Sequence, residues 1–225
     1  MWILLLVIGG LSALVSWRFR SRFNEYSKIP IQAGLSGKEI AEKMLYDNNI
    51  TDVKVLAGEG MLSDHYNPAN KTVNLSPEVY NGRSIASAAV AAHECGHAVQ
   101  HQVGYSWLKF RSAVVPAVSI TSKFIPWLLI GGVLTISVFP FLLGLGILLF
   151  ALTTFFSFIT LPVEFDASNR ALKWLESTRI TVGEEHDKAK NALKWAASTY
   201  VVAAISSLVT LLYYVSIFLG NRRNN

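Results

Sequence analysis

The hydropathy of this chain changes in blocks. Residues 1–17 carry no charged side chain, 124–163 form an uncharged stretch of about two bilayer widths, and 199–220 form another, each span needing roughly 20 residues. Pro140, with Ser137 before it and Gly144 after, marks a tight turn dividing the central stretch. The pattern therefore predicts four transmembrane helices, at 1–17, 124–140, 141–161 and 199–220. Ser112 to Ser122 is apolar but precedes Lys123, and reads either as a buried or interfacial helix or as an early part of the second span. The first segment lacks a basic leader region and a small-residue cleavage site, so it reads as an uncleaved anchor.

Two polar segments remain, 18–123 and 162–198, and their periodicity differs from that of the spans. Ser36-Gly37-Lys38-Glu39 is a capping-box pattern opening an amphipathic helix, with Ile40, Ala41, Met44 and Leu45 on one face and an end near Asp47-Asn48-Asn49. Val53 to Leu56 reads as a strand. Met61–Tyr66 and Lys71–Leu75 flank the turn signal Asn67-Pro68-Ala69-Asn70, which predicts a hairpin and a small antiparallel sheet. Ser84 to His101 is a run of helix formers with small side chains, the signature of a helix that neighbouring backbone approaches closely. Thr181-Val182-Gly183-Glu184 gives a second capping-box signature. After it, Glu184, Glu185 and Asp187 crowd a first turn and Lys188, Lys190 and Lys194 follow, as the helix dipole favours on a solvated face. The expected fold is a mainly α membrane protein in which residues 1–225 form one domain, with a small α+β portion outside the bilayer.

Composition agrees with that division. Hydrophobic residues make up 52% of the 225 and charged residues 16%, with mean hydropathy +0.36, which excludes an ordinary soluble domain of this size. Lysine and arginine then set orientation. Arg18, Arg20 and Arg22 follow the first span, Lys109 and Arg111 precede the second, and Arg170, Lys173, Lys188, Lys190 and Lys194 lie between the third and fourth. The turn between the second and third has none, so both polar segments are expected in the cytoplasm and both termini outside. Arg222 and Arg223 on the terminal tail count against this, although a short tail is a weak determinant. The net charge of +5 and pI near 9.3 fit an anionic inner leaflet; nucleic acid is not needed to explain them.

The candidate chemistry lies in His93-Glu94-Cys95-Gly96-His97. Two histidines four apart on a helix project from one face and can grip one metal ion, and the glutamate between them is placed to act as general base. Neutral imidazoles suit zinc, and a catalytic zinc takes three protein ligands and keeps a fourth position for water. The third ligand must come from the same side of the membrane. Glu164, in Leu161-Pro162-Val163-Glu164-Phe165-Asp166-Ala167-Ser168, emerges there, and reads either as that ligand or, with Asp166, as a helix cap. The hairpin is either structural or an edge to which an extended substrate adds by main-chain hydrogen bonds. His65, Tyr66 and Tyr105 are candidates for stabilising an oxyanion. His101 is about 12 Å along the helix from His93, too far to share its metal, and His186 reads as a surface residue. Cys95 is the only cysteine and reads as a small packed residue in a reducing compartment.

The chain resembles the YugP-like neutral zinc metallopeptidases of bacterial membranes through His93-Glu94-Cys95-Gly96-His97-Ala98-Val99-Gln100-His101, Leu161-Pro162-Val163-Glu164-Phe165-Asp166-Ala167-Ser168, and Asp64-His65-Tyr66-Asn67-Pro68. More distantly it is similar to the HtpX membrane zinc proteases, whose third ligand lies in a Glu-aromatic-any-Ala-Asp motif. Glu164, Phe165 and Ala167 match that motif, and Ser168 replaces its aspartate. The resemblance implies a zincin-like cytoplasmic portion, zinc on His93, His97 and Glu164, and Glu94 as catalytic base. It also implies Asp166 as the candidate partner of the ligand histidines in place of the missing aspartate. The activity implied is hydrolysis of peptide bonds in membrane or membrane-proximal proteins at the bacterial inner membrane, with the lipid bilayer and a protein substrate as partners. A non-hydrolytic zinc-stabilised adaptor is the alternative, against which Glu94 weighs, since a purely structural site needs no base.

Overall fold

A computed structural model describes residues 2–60 and 63–223. Met1 of the first apolar segment, and Met61, where the pattern starts the hairpin, lie outside the described residues. The elements in order are α1 (Trp2–Tyr26), α2 (Gly37–Asp47), β1 (Lys54–Ala57), β2 (His65–Asn67), β3 (Thr72–Leu75), α3 (Pro77–Asn81), α4 (Ile85–Gln102), α5 (Ser106–Thr121), α6 (Ile125–Leu134), α7 (Pro140–Ser177) and α8 (Glu184–Arg223). The chain falls into two compact units. One holds residues 1–14, 109–161 and 200–225, the other 15–108 and 162–199.

The first unit is helical and apolar. Among the described residues, α7 and α8 are each long and apolar enough to cross a membrane; α5 and α6, bent by 50° at a short break, form a third candidate if the pair is one span. The bend has a local cause. Pro126 sits in the first turn of α6, supplies no N–H and crowds the carbonyl four residues back. Residues 124–140, expected as one span, thus contain the ten-residue α6 and the turn into α7. Gly132 lets α6 touch α7 directly, since a Cβ there would stand 2.5 Å from Leu143 Cα. Leu143 packs with Ile125 and Leu129, flanked by Tyr214, Ile217 and Phe218 of α8. Hydroxyl pairs tie the helices across their apolar faces: Thr154 with Ser207 at 2.7 Å, and Ser12 with Ser206 at 3.4 Å.

The second unit carries the site. α2 opens as the sequence predicts, with Ser36 Oγ accepting from Glu39 N–H and the Glu39 carboxylate accepting from Ser36 N–H. Its buried face, Ile40, Ala41, Met44 and Leu45, packs in one core with the alanine-rich α4, where Ala88, Ala89, Ala91 and Ala92 are fully enclosed. Trp174 on α7 donates from its indole to Asp47 at the end of α2, 3.0 Å away, and Tyr26 on α1 donates to Asn191 on α8 at 3.1 Å.

The sheet is mixed rather than antiparallel. Its order is β1-β3-β2, with β2 antiparallel to β3 (Tyr66 opposite Val73) and β1 parallel to it (Val55 opposite Val73). The hairpin through Asn67-Pro68-Ala69-Asn70 forms as expected. Before it, the chain crosses from β1 at one edge to β2 at the other, so that β3 fills the centre with Val73 and Leu75 fully buried. The second capping box does not form. α8 starts at Glu184, Gly183 takes a left-handed φ of +55°, and Thr181 shares its hydroxyl with His186 Nδ1 at 3.2 Å. His186 is accordingly half-buried, where the sequence suggests a surface position.

Candidate metal centre

α4 is capped by Ser84, whose hydroxyl accepts from Ser87 N–H, and its small side chains let it run through the core. His93 and His97 leave it on one face, ring centroids 4.9 Å apart and nearly perpendicular. The third member comes from α7, which is helical on both sides of Pro162, so that Glu164 sits deep inside a helix and not at a helix start. The capping reading of Glu164 therefore fails. α4 and α7 approach closely because residue 96 is glycine: a Cβ at Gly96 would lie 2.5 Å from the Ala167 carbonyl oxygen.

That approach brings the three predicted ligand residues together. One ligand atom from each of His93, His97 and Glu164 can be chosen so that all lie within 4.8 Å of one another, a group that could hold a metal ion. The chemistry and spacing fit zinc. Ligand atoms about 2.1 Å from a tetrahedral zinc stand about 3.4 Å from one another. Here the Nε2 atoms of His93 and His97 are 3.3 and 3.7 Å from Glu164 Oε2. Glu164 is 2% exposed, and His97 is buried beside it.

The far nitrogens of both imidazoles are also engaged. Ser168 Oγ lies 3.1 Å from His93 Nδ1, so the serine that replaces the related family's aspartate is itself the partner of that histidine. His97 Nδ1 is 3.0 Å from Gln100 Oε1. Gln100 is fully buried, and its amide nitrogen donates to the Val163 carbonyl and to Asp166 Oδ2, each at 2.8 Å. Asp166 also accepts from Arg170 Nε at 2.6 Å. The expectation for Asp166 thus needs correction. It reaches neither histidine directly and stands one residue removed, behind Gln100. Gln100 lies three residues after His97 on the same helix face, but only the arrival of Val163 and Asp166 on α7 gives it this role.

The Glu94 carboxylate bridges from α4 to the sheet. Its Oε2 accepts from the Tyr66 N–H at 3.0 Å. Burial pushes its carboxyl up to about 7, partly opposed by His93 and reinforced by the Glu164 and Asp64 carboxylates. Asp64 closes the loop before β2, accepting from the Ser76 N–H and hydroxyl at 2.8 and 3.1 Å. Because β2 is an edge strand and Tyr66 N–H turns away from β3 to reach Glu94, the strand and the candidate base are locked together.

The remaining candidates are engaged elsewhere. Tyr66 Oη is 2.7 Å from Nδ1 of the exposed His101; His65 lies against the Ser63 carbonyl (2.7 Å) and Asn74 (3.3 Å); Tyr105 lies under the Arg170 guanidinium. Tyr66 and His101 also line a cavity of about 130 Å³, with Val53 and Ala98 on its walls and Lys71 and Asp52 at its edge. Cys95 is buried against the Ala41 carbonyl at 3.5 Å, and burial pushes its thiol up, as a packed and inert residue requires.

Residues 1–219 match the profile of the family described as "Putative neutral zinc metallopeptidase". The chain is 44% identical over 216 residues to the "Putative membrane protease YugP" of Bacillus subtilis (strain 168), covering 96% of this chain and 95% of that protein. No solved structure matches it.

Proposed function

The chain belongs to the "Putative neutral zinc metallopeptidase" family, and on that premise we propose that it is a membrane-anchored, zinc-dependent endopeptidase acting on membrane or membrane-proximal proteins. The observation that carries the reading is the meeting of His93, His97 and Glu164 within 4.8 Å, with Glu94 on the same helix as the two histidines. His93, His97 and Glu164 are the metal ligands in this reading. Zinc held there would polarise a peptide carbonyl and lower the pKa of a bound water to about 7.

The protein's own groups do the rest. Gln100 Oε1, an acceptor, fixes the His97 proton on Nδ1 and leaves Nε2 free as a ligand atom, while the Ser168 hydroxyl holds the His93 ring at its Nδ1. Glu94 takes a proton from the attacking water and returns it to the leaving amine. An extended substrate would lie along the edge strand β2 by replacing the Glu94 carboxylate at the outward Tyr66 N–H, with the cavity by Tyr66 and His101 open to one of its side chains.

The membrane reading combines the apolar α7 and α8 with the bent α5–α6 pair and the uncharged start of α1 as four spans. The lysines and arginines of residues 18–123 and 162–198 support a cytoplasmic position for those segments in a bacterial cell. The test is cleavage of an unstructured protein such as casein by the purified protein in detergent. Activity removed by a chelator, restored by zinc and absent from Glu94→Gln supports the reading; activity that survives in Glu94→Gln, in a preparation free of other proteases, refutes the role of that base.

A further inference from the structure

We propose that Gln100 is a positioning residue that sets His97 against Glu164, and that Asp166 acts on the metal centre only through it. The proposal rests on the reading of His93, His97 and Glu164 as metal ligands. Gln100 has no exposed surface, and a buried primary amide is costly unless each of its groups is bonded. Both amide contacts of its nitrogen end on pure acceptors, the Val163 carbonyl and the Asp166 carboxylate, so the nitrogen and oxygen cannot be exchanged. Oε1 must then face His97 Nδ1, and Nδ1 must donate. The amide therefore selects the tautomer that leaves Nε2 unprotonated, free to bind a metal beside Glu164.

The same side chain sets distance as well as tautomer. Val163 is the neighbour of Glu164, so one amide joins the imidazole of one ligand to the backbone beside another, across two helices. Asp166, held by Arg170, keeps the amide turned the right way. Its charge reaches His97 through a neutral relay, a weaker version of the direct carboxylate–histidine pair common at zinc sites.

The test uses the full-length protein in detergent, with zinc affinity measured by chelator competition and the visible spectrum of the cobalt-loaded protein as a second readout. Gln100→Met keeps the volume and removes every hydrogen bond. It should weaken zinc binding by about 10–100-fold, the range for loss of an outer-shell partner, and alter the cobalt bands. Because Asp166 reaches His97 only through the amide, Asp166→Asn should lower zinc affinity in the otherwise wild-type protein and change it no further in Gln100→Met. Thermal unfolding in chelator reports whether each metal-free variant is folded. Gln100→Met with unchanged affinity and spectrum overturns the proposal, as does an Asp166→Asn substitution that lowers affinity as much in folded Gln100→Met as it does alone. Glu164→Ala separates the two readings: if it binds zinc as tightly as wild type, the metal site itself has been misassigned.

Discussion

At Gly96 the space for a side chain is already taken by the backbone of α7. A methyl group would lie 2.5 Å from the Ala167 carbonyl, so Gly96→Ala must push α4 and α7 apart at the point where they bring His93, His97 and Glu164 together. We expect a net destabilisation of about 1–3 kcal/mol, even though alanine is the better helix former, with weakened zinc binding in the same protein. Denaturation and chelator competition check the two effects. Glu94 makes a pH-dependent prediction for the metal-free protein. Its carboxyl is raised from 4.5 to about 7 in the fold, so its contribution is fully present below pH 4.5 and is lost as pH rises through 7. The loss amounts to about 3 kcal/mol. In chelator, the stability of Glu94→Gln relative to wild type should therefore increase over that interval; a constant difference would contradict the burial of an ionisable group there. At this scale the histidine pair and its glutamate were legible from spacing alone. Gln100 was not, because an amide has no motif of its own and its role depends on where Val163 and Asp166 arrive from a distant part of the chain. Ser168 could be seen as a departure from the related family's aspartate, but only the packing of α7 on α4 reveals that the shorter side chain still reaches His93.

The elements differ in how much of each was visible. The α2 capping box formed as read because both its hydrogen bonds are local, and Ser36→Ala should cost about 1 kcal/mol of stability while leaving zinc affinity unchanged. A large fall in affinity would mean that α2 controls the geometry of α4 more tightly than their shared core implies. At Thr181 the same four-residue pattern failed, since its hydroxyl found a longer-range partner in His186. Pro162 misled in the opposite sense. Proline punctuates helices in water-soluble chains, and the pattern ends a span at Leu161; α7 runs on, and this continuity is what carries Glu164 and Ser168 into register with His93 and His97. The direction of β1 was equally hidden, because strand periodicity shows which residues face the core but not which edge a strand joins.

For the whole molecule, the blocks of apolar and polar sequence announced a membrane protein, and α7 and α8 bear out the apolar stretches before 161 and after 199. The topology can be tested with single cysteines on a Cys95→Ala background, because the sole native thiol is buried. Glu42→Cys and Lys190→Cys, exposed on the second unit, should react with a membrane-impermeant maleimide only after the cells are opened, and Val138→Cys in the turn before α7 should react from outside. Labelling of Glu42→Cys in intact cells would reverse the orientation. The central claim, that His93, His97 and Glu164 hold a catalytic metal served by Glu94, is tested most directly by elemental analysis of wild type, Glu164→Ala and Glu94→Gln, with casein cleavage run on the same samples. The account predicts about one zinc per chain in wild type and Glu94→Gln, little in Glu164→Ala, and cleavage by wild type alone. Zinc retained at full occupancy in Glu164→Ala, or proteolysis persisting in Glu94→Gln, would contradict it.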